Sequence, residues 1–198
     1  SGDSPRMTGP AGPQFEVSVG VHYALSILAE TECFGLPGAV ATKIAFQRRD
    51  QGHPLDDIIL TAARADGGIQ TLEIQAKRSL SFTVLNATFG GIIADMVAAQ
   101  DIDPTRRYVV AIERTSQTIE IGVHEALELA KHVSDEDSFR TLLATPGRSN
   151  QAMRDFVAAF EHHLTDAGSD PARLTFDMLR RFSVLYFDYA RPNSIAEQ

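Results

Sequence analysis

Two apolar runs, Ile58-Ile59-Leu60 and Leu72-Glu73-Ile74-Gln75-Ala76-Lys77, carry polar groups at strand spacing. Side chains alternate faces along a strand, so Glu73, Gln75 and Lys77 share one face while Leu72, Ile74 and Ala76 share the other. Between the runs lies Ala65-Asp66-Gly67-Gly68, whose Gly and Asp can take the positive φ of a tight turn. The spacing therefore predicts a hairpin of antiparallel strands near 57–64 and 70–78. Such a hairpin returns the end of its second strand to Asp57 at the start of the first. An acid, an amide and an amine then converge as a candidate active site, with one face chemical and the other core. Polar alternation is equally what the solvent face of a half-exposed sheet displays, and spacing alone leaves both open.

An Asp before an apolar strand, a turn, and a strand ending in Gln75-Ala76-Lys77 resembles the PD-(D/E)XK nuclease superfamily in its Gln-x-Lys variant, as in Mrr-type restriction enzymes. Gly12-Pro13-Gln14-Phe15-Glu16, running into an apolar helix, resembles the Gly-x-x-Phe-Glu start of that family's first helix, which supplies an acidic residue to the site. Within the superfamily the resemblance is closest to DNA endonuclease effector domains fused to sensor or NTPase modules in bacterial anti-phage systems. It is specific over residues 15 to 82.

The resemblance implies an α/β, restriction-endonuclease-like fold with a central mixed sheet, flanking helices and a helical C-terminal half. It implies a Mg²⁺-dependent DNA endonuclease, with Mn²⁺ as a substitute, acting on double-stranded DNA as an anti-phage effector. Asp57 would be the principal metal ligand, with adjoining Asp56 the alternative; Gln75 and the Ala76 carbonyl would complete the protein ligands. Glu16 would join directly or through water, and Lys77 would orient the attacking water and stabilise charge at the phosphate. Gln75 is uncharged where many family members have an acid, and Glu73 on the same face could supply one. Arg48, Arg49 and Arg78 are the candidate phosphate contacts. A homo-oligomer when active, and a sensor or NTPase module beyond the polar stretch 191–198, are further implications. The alternative is a catalytically inactive domain of the same fold that binds nucleic acid or a protein partner. Blander still is an α/β interaction domain with a solvated hairpin face.

With 198 residues, 43% hydrophobic and 22% charged, the chain has the composition of an ordinary globular domain. The expected layout is a flexible leader over 1–14, one nuclease-like domain over 15–190, and a linker over 191–198. No apolar run is long enough to span a bilayer and no signal-peptide pattern opens the chain, so a cytoplasmic location is expected. A single Cys33 excludes an internal disulfide and a Cys-rich zinc site. The net charge of −8 opposes broad nucleic-acid affinity, though a nuclease needs positive potential only along its groove. Other basic pairs, Arg106-Arg107 and Arg180-Arg181 among them, read as solvated surface.

To position the candidate site, Phe15 to Glu30 is expected as a helix apolar on so many sides that it is mostly buried. Glu16, in its first turn, could serve the helix dipole or the site. Ala39–Phe46 reads as a strand, Phe89–Gln100 as a helix, and Tyr108–Ile112 as a buried strand. Helices are expected over 119–133, 138–143, 150–164 and 171–181, the last with Asp170 as cap and Pro171 in its first turn. Ser183–Phe187 reads as a final strand. His124-Glu125-Ala126-Leu127-Glu128 begins like a zincin helix but lacks the second histidine, and His162-His163 are expected to face solvent. There is no Walker loop and no Gly-x-Ser-x-Gly elbow.

Overall fold

The computed structural model describes residues 11–46, 54–55, 57–64, 67–114 and 117–187. In chain order these form α1 (Ala11–Leu28), β1 (Ala39–Phe46), β2 (Ile58–Arg64), β3 (Ile69–Ser79), α2 (Ala87–Ile102), β4 (Arg107–Arg114), α3 (Gln117–His132), α4 (Glu136–Ala144), α5 (Gln151–Asp166), α6 (Pro171–Arg181) and β5 (Phe182–Tyr186). The architecture is α/β, a five-stranded mixed sheet in the order β1-β2-β3-β4-β5. The β1, β2 and β3 strands pair antiparallel, whereas β3, β4 and β5 pair parallel. At the hairpin turn Gly67 takes φ +81°, and Arg64 N–H donates to Gly68 O at 2.9 Å.

Parallel neighbours need crossovers, and both crossovers run in the same direction across the sheet. Crossovers of one hand then lay their helices on one face. Phe89, Ile92 and Met96 of α2, Val123 and Leu127 of α3, Phe139 of α4, Phe156 and Phe160 of α5 and Met178 of α6 accordingly share one core with Tyr108, Val110 and Ile112 of β4. The opposite core packs Phe15, Val19 and Tyr23 of α1 on Ile58, Leu60, Leu72, Ile74, Val109 and Ala111. The helix starts follow their caps: Asn86, Asp135, Asn150 and Asp170 each accept a backbone N–H from the first turn. Among the described residues no helix is long and apolar enough to cross a membrane.

Two expectations about α1 are corrected. The helix begins at Ala11, inside the stretch read as leader, with Pro13 in the first turn where its missing N–H costs nothing. Nor is it mostly buried. Val17, Val21, Leu25 and Leu28 are 51–80% exposed, because among the described residues α1 alone covers its face of the sheet and no further layer lies outside it.

Candidate active site

The β2–β3 ladder runs from Ala63 opposite Ile69 to Ile58 opposite Ile74. Beyond Ile58 the β2 chain leaves the sheet, which would orphan the Ala76 N–H on the vacated side. The Asp57 side chain takes the strand's place. Its Oδ2 accepts the Ala76 N–H at 2.8 Å and also the Gln75 Nε2–H. Asp57 is half-buried and Gln75 is buried. Lys77 follows two residues after Gln75 on the same face, about 7 Å further along the strand. It is half-buried, and its ammonium has no partner among the described residues. Acid and amide therefore meet at one end of the hairpin, and the amine lies on the same face two residues further along β3.

The face carrying Glu73, Gln75 and Lys77 is not open to solvent as a chemical face, since β3 is the central strand and α2 to α6 cover that side. Glu73 is consequently fully buried. Its Oε1 accepts from Arg106 Nη1, and its Oε2 accepts the Leu55 N–H at 3.2 Å. Both carboxylate oxygens are committed within the fold, which corrects the expectation of a metal-ligating or catalytic Glu73. Through Leu55 it holds the segment that delivers Asp57 two residues later, so Glu73 is a positioning residue.

Glu16 lies in the second turn of α1 rather than the first, because the helix starts five residues before it. The helix-dipole role fades over that distance. One turn further, a side chain at Gly20 would meet the Phe46 ring at 2.8 Å and Ile58 at 3.9 Å. Residues four apart share a helix face, so half-buried Glu16 lies on the stripe turned toward the start of β2. Arg78 is paired with Glu113 at 2.7 Å and remains half-exposed. Arg48, Arg49 and Asp56, together with the linker 191–198, lie outside the described residues.

Elsewhere the structure departs from the sequence reading in three places. His163 is buried, not solvent-facing: its Nε2 lies 3.0 Å from Thr83 O and its ring meets Phe89 edge-on. With His162 and Asp166 it forms a group whose candidate ligand atoms lie within 4.8 Å of one another. That nitrogen-rich set suits zinc rather than magnesium. Arg106 and Arg181, read as solvated surface, are buried. Tyr186 was read only as part of a strand, yet the register Lys77–Ile112–Tyr186 continues the Lys77 face across the sheet, roughly 10 Å away. Its hydroxyl is buried without a hydrogen-bond partner among the described residues, and burial together with Glu120 holds the phenol well above its ordinary range. The only sequence signal was strand parity.

His124 and Glu125 are exposed and line an open cleft of about 690 Å³ with His132 and Asn150, while Ala126 and Leu127 face the core. That is the pattern of an amphipathic surface helix.

No protein-family model, curated protein or solved structure matches this chain.

Proposed function

We propose that this chain is a metal-dependent deoxyribonuclease of the PD-(D/E)XK type, serving as the effector domain of an anti-phage defence protein. The observation that carries the proposal is the meeting of the Asp57 carboxylate and the Gln75 amide where β2 leaves the sheet, with Lys77, which has no partner among the described residues, next on the same face. The Asp57 carboxylate, the Gln75 amide oxygen and the Ala76 carbonyl form an all-oxygen donor set, which fits a hard cation such as Mg²⁺ or Mn²⁺. A cation there supplies an activated water and neutralises charge on the phosphate.

The chain's own groups do the rest. Gln75 at present donates its NH₂ to Asp57; turning the amide by 180° presents the oxygen instead, at the cost of one hydrogen bond. Ala76 N–H keeps Asp57 in place through that change. Lys77 holds a positive charge beside the phosphate and a water in line with it, and its ammonium has no partner among the described residues that must first be displaced. Glu16 orients water from the α1 side. Lys77 supplies positive charge locally in a chain whose net charge is −8, while the Arg78 charge is balanced by Glu113.

One observation favours a second reading, an inactive domain of the same fold that binds a partner: as the cap of the Ala76 N–H, Asp57 already has a structural role. Nicking of supercoiled plasmid with Mg²⁺, and with chelator, separates the two. Lys77→Ala should lose about 100-fold or more in rate, the scale for removing one preorganised charge, with an unchanged melting temperature. Equal cutting by parent and Lys77→Ala would overturn the proposal.

A further inference from the structure

At the other end of the sheet, about 17 Å from the level of Lys77, β4 begins at Arg107. A cleft of about 430 Å³ opens there between the C-terminal ends of α3 and α6 and the loop at Pro37. Its cations come from three separate elements: Arg107 from β4, Lys131 from α3, and Arg180 and Arg181 from α6. Two of the four have ordinary structural explanations. Lys131 pairs with Glu128 at 3.1 Å, and Arg181 pairs with Asp177. Basic residues in the last turn of a helix are also favoured by its dipole, which accounts for about half a charge per helix.

Arg107 and Arg180 have no ion-pair partner among the described residues. Arg107 donates to two neutral carbonyls, Gly35 O at 2.7 Å and Arg180 O at 3.2 Å. Among the described residues no carboxylate pairs with it. The Arg180 guanidinium lies over the Phe176 ring at 5.4 Å and likewise has no carboxylate partner there. Burial and the neighbouring charges of Arg181 and Arg180 push the Arg107 guanidinium below its ordinary value. In a chain of net charge −8, this concave place is lined by four cations against two acids, Glu128 and Asp177.

We infer that this cleft binds a phosphorylated small molecule of about nucleotide size, its phosphates held between Arg107, Lys131 and Arg180. Guanidinium groups donate paired N–H bonds to phosphate oxygens, a fork that a chloride ion cannot match. The volume falls within the range of small-ligand sites and exceeds what phosphate alone fills. Pro37 offers the remainder an apolar surface. This site stands apart from the proposed nuclease centre and does not depend on it.

Calorimetric titration of the full chain with pyrophosphate and with ADP, at fixed ionic strength, tests it. Both should saturate at one per chain, ADP the more tightly. Arg180→Ala and Lys131→Met should each weaken pyrophosphate binding by about tenfold or more, the loss expected for one charge-assisted contact. Arg180 is exposed, so its replacement leaves folding intact, which a melt verifies. Absence of saturable binding in the millimolar range would overturn the inference, as would equal affinity of parent and both variants. Duplex DNA binding that falls in the variants while pyrophosphate fails to bind would overturn it too.

Discussion

Removing the Glu73 carboxylate offers the sharpest test of how the candidate site is held. Glu73→Ala leaves the Arg106 guanidinium, whose side chain is 9% exposed, without its principal partner, and strips the acceptor from the Leu55 N–H. Breaking a buried pair from one side costs about 3–5 kcal/mol. Asp103 lies 3.8 Å from Arg106 Nε and retains part of the attraction, which places the cost near the lower bound, about 3 kcal/mol. For a domain of this size each kcal/mol shifts the melting point by about 2–4 °C, so a fall of roughly 6–12 °C is expected. Replacing both partners, Glu73→Met with Arg106→Met, removes the stranded charge and should recover most of that loss. Urea unfolding and calorimetry on the parent, the single and the double variant read the series. A single variant within about 1 kcal/mol of the parent, or a double variant no more stable than the single, refutes the positioning role. Glu73→Gln separates position from ligation: it should keep plasmid nicking while losing stability.

The small-residue crossing of α3 and α5 sets another expectation. A Cβ at Gly122 would lie 2.4 Å from Ala152 Cβ and 3.0 Å from Ala152 backbone, so Gly122→Ala should cost about 1–3 kcal/mol in urea unfolding; a neutral result would show that the helices part freely. His22 packs against Tyr23 and Phe187, and burial lowers its pKa. The stability it contributes is present above the ordinary imidazole value of about 6.5 and is lost as pH falls from there through the lowered folded value. His22→Phe should therefore flatten the decline of melting temperature below pH 6.5, about the ordinary value, and an unchanged profile would count against it.

The hairpin was legible because period-two alternation and the Gly67-Gly68 turn fix each other: once the turn is placed, Asp57 must return to Gln75. β1 was legible end to end, and α6 announced itself through Asp170 and Pro171. What alternation could not reveal is whether a polar face meets water. Glu73 has the same spacing as Lys77, yet helices from later in the chain bury it, and its partner Arg106 lies 33 residues away. The same holds for His163, buried by Thr83 and Phe89 far off in sequence. α1 failed in the opposite direction: apolar residues on its outer side implied a second packing layer, and the sheet topology supplies none. Arg107 and Arg180 become a cluster only through the parallel β4–β5 pairing.

Phe15 near the start of α1 meets Phe187 just past β5, ring centroids 5.7 Å apart, and the Phe187 N–H donates to Ile112 O at the level of Lys77. The first and last described segments thus lie side by side, at the end of the sheet that carries Asp57, Gln75 and Lys77. A segment joined at either point starts within a few residues of that end. A short flexible tether would hold such a segment there at millimolar effective concentration, so even a weak contact suffices to cover Lys77, and a modest displacement uncovers it. Access to the site can then be governed by whatever is attached, with no change of shape transmitted through the sheet.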